Sequence, residues 1–405
     1  MIYQAYQAYT DIMHPIHSIA HSVITTCNRA RDVVGDSISV RRVAAAHVLL
    51  ALARLTHKRP DFGIKTVAVG GKEVPVIETV VHRTPFCSLL RFSKAGGDNQ
   101  PRILLVPPLS GHFTTLLRGT VQTLLSDHDV YLTDWHNVRD VSLLHGSFNL
   151  DDFIGHIIHC HEVLGPGVNL VAVCQPTVAA LAAVAVMAAN GNPAQPVTMT
   201  LMAGPMDTRI NPTKVNHLAT SKSLAWFERN LIGIVPLRYA GRMRRVYPGF
   251  IQLSAFMSMN LERHTKSFTD LYHHLSRGDI EKAEPILTFY HEYFAMMDLP
   301  AEFYLQTISA VFQKHLMPRG KFVYRGQLVE PRAIRRTALL TVEGEKDDIC
   351  AVGQTLAAQD MCSGIRAYKK EHHMQPGVGH YGVFNGARWN SQIYPHLREF
   401  IHAHA

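Results

Sequence analysis

Hydrophobic and polar positions change their period along the chain, and the first change lies near residue 60. In residues 1–60 apolar positions recur every three or four residues, which predicts helices, and Pro60 is expected to end them. Residues 64–92 alternate instead and are rich in β-branched side chains around Gly70 and Gly71, a pattern typical of a β-hairpin. A helical segment is therefore predicted to precede a sheet.

From residue 102 onward, short apolar strands alternate with helices. The predicted strands cover residues 102–107, 129–135, 169–174 and 197–203. The predicted helices cover a segment up to Leu125, residues 151–164 and residues 176–190. Because parallel strands need crossover connections, this alternation predicts an α/β fold with a mostly parallel, doubly wound sheet and helices on both faces.

The alternation stops in residues 207–335, which are helical in pattern, aromatic and rich in methionine, with no obvious strand. Residues 338–343 resume the sheet, residues 365–373 are predicted to be its last strand, and residues 391–404 a closing helix. An insertion of this length is expected to form a cap over the sheet. The predicted units are an N-terminal helical segment (1–60), a core (61–206 and 336–405) and a helical cap or lid (207–335).

Composition and charge narrow the class of protein. The chain has 405 residues, 47% of them hydrophobic and 18% charged, which excludes a disordered, collagen-like or coiled-coil protein. The net charge of +8 would suit an anionic partner, but basic residues cluster only in residues 238–245, so nucleic-acid binding is not expected. The apolar run 168–189 contains Asn169 and Gln175 and is then mostly alanine, which favours a buried strand and helix over a transmembrane segment.

The number of cysteines and the pattern of the N-terminal residues indicate the cellular compartment of the protein. Six cysteines are few for this length and form no C-x-x-C pair, so we expect reduced thiols and no structural zinc ion. Residues 1–22 contain no Lys or Arg and no continuous apolar block, so they are not expected to form a signal peptide. These features predict a cytoplasmic protein.

One cysteine stands where a parallel sheet would expose a nucleophile. A predicted strand ends in Cys174 and passes directly into a helix, whose N-terminus would stabilise a thiolate. The glycines usual two residues before and after such a nucleophile are replaced by Ala172 and Pro176. Alanine is a small substitute, and proline suits a first helical turn. The alternative interpretation is a buried structural cysteine.

Two later loops contribute an acid and a histidine. The loop 344–348 follows a predicted strand and contains Asp347 and Asp348, and the glycine-rich loop 376–382 contains His380. The order nucleophile, acid, histidine is that of α/β-hydrolases. Asp347, third after Gly344, fits the spacing of the acid, whereas Asp348 is the more natural cap for a helix that starts near Ile349. The predicted catalytic triad is Cys174 as nucleophile, Asp347 as acid and His380 as base.

Such a triad needs backbone N–H groups that bind the developing oxyanion. One is expected from Gln175, the residue after the nucleophile. The second is expected from the loop 108–112, which follows the first core strand, where either Leu109 or Ser110 would supply it.

With these residues identified, the chain resembles the intracellular poly(3-hydroxybutyrate) depolymerases. The resemblance covers nearly the whole chain and implies an α/β-hydrolase fold in a cytoplasmic enzyme attached to storage granules. It also implies cleavage of an amorphous polyester with a cysteine in place of the usual serine, and position by position it assigns the same three triad residues. The similar segments are MIYQAYQ, VPPLSGHFTTLLRGTV, TDWHNVRDV, VAVCQPTVAALAAVAVMA, LMAGPMDTRINPT, VEGEKDDI and GVGHYGVFNGARWNSQIYP.

The resemblance implies a thioester acyl-enzyme on Cys174, which water would hydrolyse and which coenzyme A could intercept; no metal or other cofactor is required. Two alternatives remain. One is another acyl transferase of this fold, a polyester synthase or a thioesterase, including thiolysis to 3-hydroxybutyryl-CoA. The other is a non-catalytic granule-coating protein. Synthases carry glycines around the cysteine and a longer chain, both absent here, and the complete triad argues against a coating protein.

The aromatic and methionine side chains of the predicted cap have two interpretations. They would either grip an apolar polymer or granule, or form the core of the cap itself, and for any single residue the core is the more common use. The residues concerned are Trp226, Phe227, Tyr247, Phe250, Phe256, Met257, Met259, Tyr290, Tyr293, Phe294, Met296 and Met297.

Overall fold

The N-terminal segment forms two helices in the computed structural model, which describes residues 2–34, 37–97, 100–259 and 261–404. These are α1 (Ile2–Val34) and α2 (Ile38–Leu52). The prediction that the helices run to Pro60 was wrong, because after α2 the chain pairs with residues 294–296. There the N–H of Thr56 donates to the carbonyl of Phe294 at 2.9 Å.

Residues 66–202 form strands and helices in the predicted alternation. The strands are β1 (Thr66–Val69), β2 (Lys72–Arg83), β3 (Cys87–Lys94), β4 (Arg102–Val106), β5 (Asp129–Trp135), β6 (Val168–Val173) and β7 (Thr198–Met202). The helices are α3 (Arg118–Leu124), α4 (Leu150–Leu164) and α5 (Thr177–Ala189). The predicted hairpin at Gly70 and Gly71 joins β1 to β2 and is confirmed. The next strand, β3, pairs with β2 and is also antiparallel to it.

Residues 207–335 fold into helices and short strands. In chain order these are α6 (Lys214–Ser221), α7 (Leu224–Leu231), β8 (Gly233–Ile234), β9 (Arg245–Tyr247), α8 (Gly249–Met259), α9 (Leu261–Arg277), α10 (Ile280–Tyr293), β10 (Leu299–Pro300), α11 (Ala301–Thr307), β11 (Val323–Tyr324) and β12 (Gln327–Leu328). The prediction of no strands here was wrong. Each strand has only two or three residues, too few to produce an alternating pattern.

Most of the aromatic and methionine side chains of this segment are buried. Trp226 is 37% exposed, and the side chain of Met259 lies outside those that the structure describes. Phe250, Phe256 and Met257 are partly buried. The fully buried members are Phe227, Tyr247, Tyr290, Tyr293, Phe294, Met296 and Met297. Their main use is therefore the core of the segment, as the second interpretation held.

The chain returns to the sheet after the insertion, in β13 (Ala338–Gly344), α12 (Ala358–Met361), β14 (Lys370–Gln375) and α13 (Tyr394–His404). The last strand begins at Lys370 rather than at the predicted residue 365, because residues 367–369 form a 3₁₀ turn before Lys370 pairs with Leu339. The nine strands follow the order β1-β2-β3-β5-β4-β6-β7-β13-β14, parallel from β5 onward and antiparallel at the β1–β3 edge.

Helices cover both faces of this sheet, so the predicted α/β-hydrolase fold is confirmed. On one face α4 and α5 pack in a large apolar core, and on the other α3 and α13 do so. The alanine-rich run forms α5, whose residues 177–187 are all buried, as predicted. Within the described part of the chain, no helix reaches both the length and the hydropathy that a bilayer crossing requires.

Candidate active site

Cys174 lies in the tight turn between β6 and α5, with a φ angle of +68°. For a residue other than glycine, this left-handed backbone conformation costs about 1–3 kcal/mol and persists only where the surrounding structure imposes it. Here the Cys174 N–H donates to the carbonyl of Met202 at 2.8 Å, and Thr177 donates to the Cys174 carbonyl from its N–H and its hydroxyl. A strained turn between a strand and a helix is typical of an exposed nucleophile.

The close approach of helix and sheet at this turn depends on Gly204, which the sequence analysis did not identify. A Cβ atom at Gly204 would collide with the side chain of Thr177 in the first turn of α5. Ala172 is completely buried and Pro176 stands at the N-terminal cap of α5, so both fit where glycine is usual. The required glycine lies on the neighbouring strand connection after β7.

The structure brings Asp347 and His380 together at the carboxyl edge of the sheet. His380 Nδ1 lies 2.8 Å from Asp347 Oδ2, and both side chains are buried. The other oxygen of Asp347 accepts the N–H groups of Ile349 at 2.9 Å and Cys350 at 2.8 Å. Asp347 therefore fixes its own loop and orients the imidazole. No helix begins near Ile349 for Asp348 to cap, since residues 348–350 form a bend.

Electrostatics favour a thiolate at Cys174. The hydrogen bond from the Cys350 thiol lowers the pKa of Cys174, burial opposes this, and the charge and hydrogen bond of His380 add to the lowering, to about 5. Burial lowers the pKa of His380, but the charges of Asp347 and Cys174 outweigh it and hold that pKa well above its usual value. The structure therefore supports a thiolate–imidazolium pair near neutral pH.

A largely apolar cavity of about 180 Å³ lies at this edge of the sheet. Cys174, His380 and the predicted oxyanion residues Gln175, Leu109 and Ser110 all line it. The Leu109 N–H donates to Gln175 Oε1 at 3.4 Å, so this amide faces the turn after the nucleophile. The apolar lining includes Phe113, Leu117, Phe256, Leu299, Phe303, Ile308, Phe312 and Phe384.

The sequence family follows from comparison with known proteins. The family model for the PHB (poly(3-hydroxybutyrate)) de-polymerase C-terminus matches residues 203–405, which is half of the chain. The chain belongs to the PHB depolymerase family. Membership makes it a carboxylic ester hydrolase and confirms the resemblance found in the sequence. The region that matches the PHB depolymerase model contains Asp347 and His380, and Cys174 precedes it.

Several solved structures are similar to this PHB depolymerase family member at low sequence identity. The 2-hydroxy-6-oxo-6-phenylhexa-2,4-dienoate hydrolase of Rhodococcus sp. strain RHA1 is 11% identical, with a TM-score of 0.43 over 81% of this chain and 99% of that chain. A carboxylesterase of Nitrososphaera gargenis is 12% identical, with a TM-score of 0.44 over 82% and 100%. The Bacillus megaterium epoxide hydrolase is 11% identical, with a TM-score of 0.45 over 83% and 99%. No curated protein matches the chain.

Cys350 is a further site residue that the sequence analysis did not identify. It is 2% exposed and lines the same cavity as Cys174, and its hydrogen bond with Cys174 is the largest cause of the lowered pKa of that thiol. Cys350 could have been predicted from its position three residues after Asp347. The loop that places the acid beside the histidine also places the residues after the acid close to the nucleophile.

Replacing Cys350 with alanine is expected to raise the pKa of Cys174, because the thiolate loses its hydrogen-bond donor. The thiolate of Cys174 exists above the pKa of Cys174 and is protonated as the pH falls below that value, which is about 5 in the wild type. In the variant, the pH at which the thiolate is lost should therefore be higher. The measurement is the pH dependence of Cys174 alkylation by iodoacetamide, followed by mass spectrometry. Cys350→Ser retains a donor and should stay close to the wild type; an unchanged profile in Cys350→Ala would contradict the assignment.

Proposed function

We propose that this chain is an intracellular depolymerase that hydrolyses amorphous poly(3-hydroxybutyrate) to 3-hydroxybutyrate oligomers or monomers. The observation that carries the proposal is the position of Cys174, on a strained turn beside the His380–Asp347 pair in an apolar cavity. An apolar cavity suits a polyester segment, which exposes methyl and methylene groups between its ester groups. Family membership supplies the polyester class of substrate.

In the first half of the reaction, the Cys174 thiolate attacks an ester carbonyl of the polymer. The proton of the thiol resides on His380, whose Nδ1 is held by Asp347 and whose other nitrogen faces Cys174. The new S–C bond converts the carbonyl into a tetrahedral oxyanion, which the N–H groups of Gln175 and Leu109 stabilise. We choose Leu109 over Ser110 because its N–H donates to an oxygen beside the nucleophile, Gln175 Oε1 at 3.4 Å, and the oxyanion would replace that oxygen as acceptor when the substrate binds.

Collapse of this intermediate breaks the C–O bond of the ester. His380 gives its proton to the leaving oxygen, which becomes the hydroxyl end of one polymer fragment, and the other fragment stays on Cys174 as a thioester. Water then attacks the thioester while His380 accepts a proton from it. The products are a carboxylic acid and the regenerated thiol of Cys174. Coenzyme A in place of water would release 3-hydroxybutyryl-CoA.

An exposed apolar stripe on α1 supports attachment to a storage granule in the cytoplasm. Tyr9, Ile12, Ile16 and Ile19 follow one another at spacings of three and four, so they share one face of the helix. They are 60%, 69%, 39% and 61% exposed, respectively. A contiguous exposed apolar face is a feature of interaction surfaces, and a polyester granule presents an apolar partner.

The test uses native amorphous granules and crystalline polymer, each with and without coenzyme A. We expect 3-hydroxybutyrate to be released from amorphous granules alone, and the protein to sediment with them. Release of 3-hydroxybutyryl-CoA would make the enzyme thiolytic. Incorporation of 3-hydroxybutyryl-CoA into polymer would make it a synthase, and binding without any release would leave a granule-coating protein.

A further inference from the structure

Two buried polar side chains in the apolar cavity have atoms without hydrogen-bond partners. His112 is 3% exposed and Gln252 is 8% exposed, and both line the cavity that contains Cys174. Neither Nε2 of His112 nor Oε1 of Gln252 is hydrogen-bonded to any residue that the structure describes. Because buried polar atoms are rarely left unpaired, we interpret these two atoms as hydrogen-bonding sites for a ligand.

The imidazole of His112 is fixed with its unpaired nitrogen as an acceptor. Burial lowers the pKa of His112 to about 4, and the Tyr293 carbonyl, to which the ring is hydrogen-bonded, raises it only in part. The ring is therefore neutral at pH 7, with its one hydrogen on Nδ1 toward that carbonyl and a lone pair on Nε2. Phe256 stacks on the ring at a centroid distance of 5.3 Å, and Tyr293 packs against it in a tilted arrangement at 4.9 Å, so its orientation is set.

The amide of Gln252 lies against the backbone that precedes His112. A Cβ atom at Gly111, whose φ angle is +109°, would lie 2.8 Å from Cδ and Oε1 of Gln252. The Gly111 carbonyl accepts the N–H of Met297 at 2.6 Å, which holds this loop against the cap. Gly111 thus provides the space in which the Gln252 amide reaches the loop that also contains Leu109.

The chemistry of these atoms selects a hydroxyl group as ligand. The interior of a poly(3-hydroxybutyrate) chain offers only ester oxygens, which accept hydrogen bonds and cannot satisfy the Nε2 lone pair. Only the terminal 3-hydroxyl of a chain or oligomer donates. A hydroxyl group has one hydrogen, which His112 Nε2 can accept. The amide of Gln252 can turn by a half rotation and place its NH₂ group where Oε1 now lies, so that Gln252 donates to the oxygen of the same hydroxyl group.

We propose that His112 and Gln252 form a hydroxyl-binding subsite that takes the terminal 3-hydroxyl of the acyl unit bound at Cys174. The proposal rests on the proposed depolymerase function and deepens it. Bound in this way, a polymer is cleaved from its hydroxyl end, and short 3-hydroxyacyl esters are better substrates than the corresponding unsubstituted esters. His112 and Gln252 determine specificity and take no part in proton transfer.

The test compares 4-nitrophenyl 3-hydroxybutyrate with 4-nitrophenyl butyrate, which differ only in the hydroxyl group. The wild type is expected to favour the hydroxy ester in kcat/KM by about tenfold to a hundredfold. His112→Phe and Gln252→Leu are expected to bring this ratio toward one. A merely structural role would lower both rates together and leave the ratio unchanged, which would overturn the proposal.

If a variant does not fold, the ratio of kcat/KM for the two esters in the wild type still tests the proposal. A wild-type ratio near one, with both esters hydrolysed in a manner that requires Cys174, would overturn the subsite and leave the proposed function standing. Hydrolysis of neither ester by the wild type would instead overturn the proposed function.

Discussion

Cys174→Ala is expected to lose about 10⁴-fold or more of the activity toward a soluble ester such as 4-nitrophenyl butyrate at pH 7. The alanine has no sulfur to form the thioester, and the remaining His380 and oxyanion donors can at best direct a water molecule at the ester. The strain of the turn is nearly unchanged, because alanine at a φ angle of +68° meets the same Cβ clash as cysteine. The loss should therefore occur without a large change in stability.

Cys362→Ala is the matched control for this prediction. Cys362 is buried and is not among the residues that line the cavity, and burial raises the pKa of its thiol to about 12, so it is not a nucleophile at pH 7. Its removal should leave kcat/KM within about twofold of the wild type. Substantial ester hydrolysis by Cys174→Ala, with unchanged thermal unfolding, would show that another group carries the reaction.

The centre of the sheet could be predicted because its strands are buried on both faces. Strands such as β4 and β6 are short continuous apolar runs bounded by turn residues, and these runs remain visible in a sequence whatever surrounds them. The end of β6 could be predicted for the same reason, which is why the position of Cys174 followed from its strand. The small strands β8 to β10 could not, because they pair across segments distant in the chain and have no period of their own.

The residues that surround Cys174 could not be predicted from the sequence pattern, for a different reason. Gly204, His112 and Gln252 come from three separate parts of the chain and meet the turn of Cys174 or its cavity only in the folded structure. Spacing rules act within one element or one turn, so they found Asp347 relative to Gly344. They have no means of relating a residue of α8 to a loop after β4. The same limit explains why the sequence left Leu109 and Ser110 as alternatives: the contact between Leu109 and Gln175 joins two loops that are distant in the chain.

The second large effect is expected for Asp347→Asn, with a fall in kcat of about 10³- to 10⁴-fold. Oδ1 of the asparagine would still accept the N–H groups of Ile349 and Cys350, so the loop should keep its shape. The group that faces His380 would instead be an NH₂, which donates to Nδ1 and places the imidazole hydrogen on Nε2. In that tautomer the ring cannot accept the proton of Cys174.

The same substitution removes the carboxylate charge that holds the pKa of His380 well above its usual value. The imidazolium should therefore be lost at lower pH, and with it part of the stabilisation of the Cys174 thiolate, so the acid limit of Cys174 alkylation should move to higher pH. Asp348→Asn removes an equal charge from the adjacent position without replacing the carboxylate bonded to His380, and it should retain most of the wild-type kcat. A comparable loss in both variants would contradict Asp347 as the acid of the triad, because the carboxylate bonded to His380 is that of Asp347 and is intact in Asp348→Asn.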